Sequence, residues 1–348
     1  MDPVAEPVVL AGNQTRGLVC AHHHLYSALA RGMPSPPHTP TDFLQILEQV
    51  WWRLDTALDL KMLEWSAKLG ALEALNCGTT AIIDHHESPN AIEGSLDVIA
   101  AACAEVGVRV LCAYGVTDRH GPSGAAAGLA ENERFLRRGG RGLVGVHAAF
   151  TCSHATLEAA AGLAADLGVG VHIHVAEGLI DAGAPERLAT LARPDWLIVH
   201  AVHLEGSLPG TIAHNPRSNM NNAVGYARPN RFANRVVLGT DGIGADMLEE
   251  FRLAYARLRE QDVTATPDVV WGWLNNAYDL VPEARNDVVT WSYASMDPWH
   301  LAYTPGVRPL AVTVEGRPLM EDGQVLSVDE AEIRAKAAEQ AQRLFARL

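Results

Sequence analysis

Eight short apolar runs, alternating with segments of helical character, limit the folds that are open to this chain. Each run has the length of a buried strand and is followed by a helix-like segment or a long loop, as expected of parallel strands joined by crossover connections. Eight such units favour a closed (β/α)8 TIM barrel, an α/β fold, over an open doubly wound sheet. The predicted strands are residues 18–22, 79–84, 108–114, 143–147, 169–174, 196–200, 210–214 and 235–240.

The remaining segments complete the expected organisation. Amphipathic spacing predicts helices near 42–76, 91–106, 124–138, 155–167, 184–192, 246–260 and 267–279, with Trp51 and Trp52 buried on one face of the first. We expect residues 17–284 to form the barrel. Short strands at 287–291 and 308–322 assign residues 285–326, together with the N-terminal segment 1–16, to a small appended domain, and residues 327–348 to a final helix.

Composition narrows the classes of function. The chain has 348 residues, of which 48% are hydrophobic, enough for a large buried core. Its net charge of −14 argues against a nucleic-acid partner, because phosphate would be repelled. The five cysteines form no C-x-x-C pair, which indicates reduced thiols in a cytoplasmic protein. We find neither a secretion signal nor an apolar run of the roughly 20 residues that cross a bilayer, so no membrane partner is expected.

Metal-competent side chains gather at the C-terminal ends of the predicted strands. Barrel enzymes build their active sites at that face from several strands, so we expect these side chains to converge. A random scatter of histidines would not favour the same end of so many strands. The residues are His22, His24, His147, His172, His174, Glu177, His200, His214 and Asp241.

Part of this set has the chemistry of a single divalent metal site. Alternate side chains of a strand share a face, so the first and third histidines of the 22–24 triplet point the same way. Imidazole nitrogens with one carboxylate suit Zn²⁺, with Fe²⁺ as the alternative, and leave a position for water. None of the three lysines lies on a predicted strand, so the lysine that bridges two metals in some barrels is not expected. The predicted ligands are His22, His24, His174 and Asp241.

Three residues beside the predicted metal are the candidate catalytic groups. A bound cation lowers the pKa of its water and generates a nucleophile near neutral pH. Glu177 is placed to carry protons between that water and a ring nitrogen or leaving group of the substrate. His200 either polarises the substituent of the attacked carbon or orients and deprotonates the water. Asp241 is a further candidate proton acceptor through its second carboxylate oxygen.

The assembled motifs resemble the amidohydrolase superfamily, in its cytosine-deaminase and chlorohydrolase-like branch. The matching stretches are residues 22–24 (HHH), 172–177 (HIHVAE), 200–204 (HAVHL) and 238–242 (LGTDG). Residues 214–222 (HNPRSNMNN), 51–55 (WWRLD) and 84–86 (DHH) are similar to the SsnA-type aminohydrolases. The resemblance implies a mononuclear metal-dependent hydrolase that releases ammonia from an aromatic nitrogen heterocycle of the purine, pterin or pyrimidine type. It also implies a homo-oligomer, expected to be a dimer.

The resemblance further implies substrate contacts and the nature of the appended domain. Relatives place a histidine like His147 against the substrate and use the first histidine of the 200–204 motif, His200, in catalysis. They carry a longer β-sandwich segment before the first histidine pair, so the appended domain is expected to be a reduced β-sandwich. For His86, a structural hydrogen bond is an equal alternative to substrate contact. The other candidate substrate contacts are Tyr26, Arg31 and Asn219.

Other functions compete with deamination. The same metal site could hydrolyse a different C–N bond or a C–Cl bond, as triazine chlorohydrolases and amidohydrolases do, since only the leaving group differs. A non-catalytic metal-binding pseudoenzyme is disfavoured, because Glu177, His200 and Asp241 are all present. A nicotinamide-dependent reductase is disfavoured further, because no G-x-G-x-x-G phosphate-binding loop follows any predicted strand.

Overall fold

The structure, a computed structural model, describes residues 9–348. The strands are β1 (Gln14–Arg16), β2 (Leu18–His23), β3 (Thr79–His86), β4 (Arg109–Tyr114), β5 (Val144–Ala148), β6 (Val171–Val175), β7 (Leu197–His200), β8 (Thr211–His214), β9 (Val236–Leu238), β10 (Val288–Trp291), β11 (Pro309–Val314), β12 (Arg317–Glu321) and β13 (Gln324–Val325).

The α-helices are α1 (Phe43–Ile46), α2 (Trp52–Ala57), α3 (Leu60–Leu75), α4 (Ser95–Val106), α5 (Gly121–Arg137), α6 (His154–Leu167), α7 (Ala184–Leu188), α8 (Pro216–Asn221), α9 (Met247–Gln261), α10 (Pro267–Asn276), α11 (Pro298–Leu301) and α12 (Glu330–Phe345). One turn of π-helix, Leu47–Trp51, separates α1 from α2. None of the described helices combines the length and the apolar character needed to cross a bilayer.

Strands β2 to β9 form a closed parallel barrel. Ladder pairing joins β2–β3–β4 and β5–β6–β7–β8–β9, and backbone hydrogen bonds close both gaps. Between β4 and β5, the N–H of Val116 donates to Gly145 O at 3.2 Å. Between β9 and β2, the N–H of Asp241 donates to His22 O at 3.1 Å, and the N–H of His24 donates to Asp241 O at 3.3 Å. The predicted TIM barrel is therefore confirmed.

Each predicted barrel strand overlaps an observed one, and the differences lie at the ends. The last strand was expected to extend to Thr240 but ends at Leu238, because Asp241 adopts a left-handed backbone with φ 56°. The helices predicted within 42–76 are α1 to α3, which are divided by the π-helical turn and by a break before α3, where Asp59 caps the new helix by accepting the N–H of Met62.

The barrel interior is divided into an apolar base and a polar mouth. Small and branched apolar side chains fill the base, and the short helical segments after α10 close it with Tyr278 and Val281. The outward-facing residues of the strands pack on the surrounding helices. The inward apolar residues are Val19, Ala21, Ala81, Ile83, Leu197, Val199, Ala213 and Val237. Polar side chains at the opposite end of the barrel therefore have an ordered floor beneath them.

The appended part is one antiparallel sheet in the order β1–β10–β11–β12–β13. Trp291 of β10 is buried and donates through Nε1 to Thr15 Oγ1 at 2.9 Å, which joins the N-terminal strand to the C-terminal ones. Helix α12 packs on α3 of the barrel. The domain limits 17–284, 285–326 and 327–348 stay predictions, and half of the predicted segment 1–16 lies outside the described residues.

A buried ion pair links the appended sheet to the barrel. Arg109 of β4 donates to both carboxylate oxygens of Asp287, whose side chain is fully buried, and also to Glu315, whose side chain is 68% exposed. The N–H of Glu315 donates to Asp287 as well.

We expect Asp287→Ala to lower the free energy of unfolding by about 3–5 kcal/mol, because it leaves a buried guanidinium without its main partner. Glu315→Ala removes the exposed partner of the same arginine and should cost less than about 1 kcal/mol. Urea denaturation of the two variants measures both values. Equal losses in the free energy of unfolding would contradict the assignment of Asp287 as the main partner of Arg109.

Candidate active site

Four predicted ligand atoms converge at the barrel mouth. Nε2 of His24 lies 2.9 Å from Asp241 Oδ1, Nε2 of His22 lies 3.5 Å from the same oxygen, and Nε2 of His174 lies 3.3 Å from Nε2 of His24. All four ligand atoms lie within 4.8 Å of one another, and all four residues are buried. The strand ends thus bring together the full set that the sequence predicted as metal ligands.

The hydrogen bonds behind two of these imidazoles fix their tautomers. Nδ1 of His24 donates to the carbonyl of His85 at 2.6 Å, and Nδ1 of His174 donates to the carbonyl of His147 at 2.7 Å. A carbonyl can only accept, so in the neutral ring each Nε2 carries a lone pair. Two lone pairs 3.3 Å apart repel each other unless positive charge lies between them.

The local electrostatics also favour positive charge. Burial acts to lower the pKa of His24, but Asp241 raises it more strongly, to about 9. Burial acts to raise the pKa of Asp241, but the neighbouring imidazoles of His22 and His24 outweigh it and hold this pKa well below its usual value. Nε2 of His22 is buried without a hydrogen-bond partner.

These residues fit a divalent metal. Zn–N bonds of 2.0–2.1 Å place neighbouring ligands of a five-coordinate ion, which has four side chains and one water, about 2.9–3.6 Å apart. Three of the separations, 2.9, 3.3 and 3.5 Å, lie in that range. The donor set of three imidazoles and one carboxylate is one that Zn²⁺ and Fe²⁺ accept.

His172 lies behind His22, the predicted histidine ligand whose Nδ1 is not paired with a backbone carbonyl. Its Nε2 is 2.8 Å from Nδ1 of His22, and its side chain is fully buried. When Nε2 of His22 binds a cation, Nδ1 carries the proton and donates it to His172. This pair has the form of the outer hydrogen bonds that hold metal-binding histidines in place.

The candidate proton-transfer groups lie on the other side of Asp241. Nε2 of His200 is 3.3 Å from Glu177 Oε2 and 3.8 Å from Asp241 Oδ2, and its Nδ1 is held by Asn219 Oδ1 at 2.7 Å. Ser218 donates a short hydrogen bond to Asp241 Oδ2. Burial, followed by the charge of Asp241, raises the pKa of Glu177 well above its usual value. A carboxyl group whose pKa is raised and a histidine are therefore adjacent at the metal cluster.

Strained backbone places these groups. His200 has φ 69°, Ala176 has φ 47° and Asp241 has φ 56°, all in the left-handed region that L-residues seldom adopt. In β7, Leu197 and Val199 face the interior, so strand alternation would direct His200 outward. Its left-handed backbone turns the imidazole to the barrel mouth instead, where it meets Glu177.

An aromatic pocket opens directly above the cluster. Trp51 and Trp52, predicted as core residues, line it instead, because the π-helical turn carries them over the barrel mouth. His147 and Tyr26 also line it, as expected of substrate contacts; the ring of Tyr26 is 5.4 Å from that of His24. The further aromatic and apolar lining residues are Phe43, Leu47, Ala148 and Phe150.

Three predicted substrate contacts lie elsewhere. Arg31 is 63% exposed and pairs with Glu73 at 2.6 Å, outside the pocket. Asn219 is buried against His200 rather than in the pocket wall. His86 points out of the barrel, because alternation along β3 directs His85 inward, and its Nε2 is paired with Ser88 Oγ at 2.7 Å. Of the two readings of His86, the structure favours the structural hydrogen bond.

Sequence reasoning missed the acidic residues of the pocket wall. Asp55, Glu87 and Asp181 line the pocket and are buried. Asp55 and Glu87 both bind Arg119, a partner from a third segment of the chain. A signal was present, since Asp55 ends the 51–55 stretch and Glu87 directly follows the 84–86 stretch that carried the resemblance.

The profile of the Amidohydrolase family matches residues 15–269. The chain belongs to this family. Among its curated relatives, a 5′-deoxyadenosine deaminase of Methanopyrus kandleri is 28% identical over 94% of this chain and 86% of the relative. A 5-methylthioadenosine/S-adenosylhomocysteine deaminase of Desulforudis audaxviator is 30% identical over 95% of this chain and 86% of the relative. The predicted enzyme class, an aminohydrolase of the amidohydrolase superfamily, is thereby confirmed. The resemblance to the SsnA-type subgroup stays a prediction.

Solved structures share the fold. An adenosine deaminase from Xanthomonas campestris with bound zinc superimposes with a TM-score of 0.81 at 20% identity, over 95% of this chain and 85% of that one. A variant of atrazine chlorohydrolase from Arthrobacter aurescens TC1, complexed with zinc and atraton, gives 0.78 at 19% identity, over 94% of this chain and 88% of that one.

We expect His172→Leu to weaken Zn²⁺ binding about 10- to 100-fold, because His22 loses the acceptor that holds its tautomer. The dissociation constant is measured by chelator competition, independently of turnover. His172→Gln, which restores an acceptor oxygen, should recover most of the affinity. His214→Leu is the matched control: His214 is equally buried, and neither of its ring nitrogens has a partner among the described residues. An unchanged constant in His172→Leu would contradict the role of His172.

Proposed function

We propose that this protein is a mononuclear zinc-dependent deaminase. Its substrate is an amino-substituted aromatic heterocycle of the purine, pterin or pyrimidine type, with a 6-aminopurine as the first candidate. The carrying observation is the convergence of three imidazole Nε2 atoms and Asp241 beside Glu177 and His200, at the floor of an aromatic pocket. The 5′-deoxyadenosine and 5-methylthioadenosine deaminases among the relatives support the purine.

The pocket suits a flat ring. Aromatic side chains, including Trp51, Trp52 and Phe150, line its walls, and offset stacking on such rings favours planar ligands. His147 stands at the wall with its Nδ1 2.8 Å from Thr151 Oγ1, which leaves Nε2 directed at other partners. It holds the ring by a hydrogen bond while the amino-bearing carbon lies over the floor.

The residues around the metal divide the chemistry between them. Zn²⁺ would be held by His22, His24, His174 and Asp241 and would supply an activated water, because coordination lowers the pKa of water toward neutrality. Glu177, whose pKa is raised by burial, gives a proton to the ring nitrogen beside the attacked carbon. Glu177 would then take one proton from the attacking water and deliver it to the amino group, which leaves as ammonia, and the second proton of that water, accepted by Asp241 Oδ2, would return to Glu177 and restore its protonated form.

Neighbouring groups keep that proton transfer aligned. His200, fixed by Asn219, stabilises the charge that develops on the attacking oxygen, and Oδ2 of Asp241 is a second proton acceptor. Asn222 donates to Glu177 Oε1 at 3.3 Å and sets the orientation of that carboxyl. Asp181 accepts the N–H of Ala176 at 2.8 Å and so supports the strained turn before Glu177.

The choice of metal, the location and the assembly belong to the same proposal. Zinc is preferred over iron because the donor set suits it and because both similar structures described above hold zinc. A cytoplasmic location rests on the cysteine pattern. A homodimer rests on the family resemblance.

The decisive experiment combines metal analysis with an ammonia-release screen of the zinc-loaded enzyme. The screen covers adenine, adenosine, 5′-deoxyadenosine, 5′-methylthioadenosine, pterin, cytosine and amino-triazines. We expect about one equivalent of metal and ammonia from one class of ring. Bound metal without ammonia, or chloride release from a chlorotriazine in its place, would overturn the proposed deamination.

We expect Glu177→Gln to keep its metal while kcat falls about 100-fold or more, because the amide cannot shuttle a proton. His24→Ala should lose both metal and activity. Metal content and steady-state kinetics of the two variants separate the roles. Wild-type turnover in Glu177→Gln would contradict the assignment of this residue.

A further inference from the structure

The ionisable side chains at the wall of the substrate pocket are mostly carboxyl groups and histidines. Five carboxylates line it, and among the described residues no lysine or arginine does. One of them, Asp241, belongs to the metal cluster, and another, Glu177, is the proposed proton carrier. The carboxylates are Asp55, Glu87, Glu177, Asp181 and Asp241.

Arg119, a cation that contacts two of these acids, is already bound within the protein. Arg119 lies behind the wall, where one of its terminal nitrogens donates to Asp55 Oδ2 at 2.9 Å and to Glu87 through a short contact. Its guanidinium also stacks over Trp52, with 4.4 Å between Cζ and the ring centroid. Two carboxylates therefore share one guanidinium, and the group offers a ligand no excess positive charge.

Asp55 and Glu87 offer hydrogen-bond acceptors at the pocket wall. Oδ1 of Asp55 is buried without a hydrogen-bond partner, and Glu87 Oε1 lies 3.7 Å from His147 Nε2 at the pocket wall. Burial, followed by the charge of Glu87, raises the pKa of Asp55 to about 8, the direction expected where negative charge accumulates. A ligand with N–H or O–H donors stabilises such a wall, and a ligand anion destabilises it.

We infer that the pocket takes neutral or cationic heterocycles with donors facing Asp55 and Glu87, and rejects heterocycles that carry a carboxylate or phosphate. The inference rests on the proposed function and narrows it to a charge class. It predicts that this chain does not accept S-adenosylhomocysteine, a compound that carries a carboxylate and that appears in the name of one relative.

The test compares an acid with the amide of the same size on each candidate ring. The pairs are adenosine-5′-carboxylate and adenosine-5′-carboxamide, pterin-6-carboxylate and pterin-6-carboxamide, and 5-carboxycytosine and 5-carbamoylcytosine. For the ring that releases ammonia, we expect kcat/KM of the acid to be about 100-fold below that of the amide, because the acid brings a carboxylate beside Asp55 and Glu87, which share a single guanidinium. Equal values for acid and amide would overturn the inference.

A charge-removing variant tests the assignment to the wall. Glu87→Gln should reduce the ratio of kcat/KM for the amide to kcat/KM for the acid about tenfold. Glu158→Gln removes the same charge from an exposed position on α6 and should leave the ratio unchanged. An unaltered ratio in Glu87→Gln would overturn the role of this wall. Failure of every unsubstituted ring to release ammonia would instead overturn the proposed function, so the two failures are distinguishable.

Discussion

The seam between the last and first barrel strands is the constraint on which the site depends. Backbone hydrogen bonds from Thr240 and Asp241 to His22 O, and from His24 to Asp241 O, close the barrel there. The same bonds set the carboxylate of Asp241 beside Nε2 of His22 and His24, residues more than 200 positions earlier in the chain. Closure of the barrel therefore also brings three of the four predicted ligands together, because the strand ends that join carry His22, His24 and Asp241.

Irregular backbone conformations position the other side chains of the site. The pairing of β2 with β3 shifts register between Cys20 and His23, and His200 and Asp241 occupy the left-handed region. Each departure costs free energy of order 1–3 kcal/mol, which a barrel with a packed apolar base can sustain. Strained residues concentrate where the chemistry is proposed, as expected when the surrounding fold over-determines a functional conformation.

The floor, cover and wall of the pocket come from different kinds of segment. The floor is formed by strand ends, which the sequence indicates by histidines that follow apolar runs. The cover of the pocket comes from the π-helical turn at 47–51, and its acidic wall from separate segments, two of which, those of Asp55 and Glu87, are joined through Arg119. A tryptophan in an amphipathic helix reads as core, and a carboxylate in a loop reads as solvent-exposed. Neither expectation takes account of the tertiary contacts that place Trp52 and Glu87 at the pocket.

The sequence by itself determined the barrel, the strand order and the set of metal-competent residues, because strand periodicity and the common direction of parallel strands follow from local pattern. The structure brings the ligand atoms of His22, His24, His174 and Asp241 together as that pattern predicted. Only the tertiary structure decided that His86 points out of the barrel, that Arg31 lies outside the pocket and that acids line its wall. Those outcomes depend on which face a strand end presents after a bulge or a left-handed residue, and on contacts between distant segments, neither of which local pattern encodes.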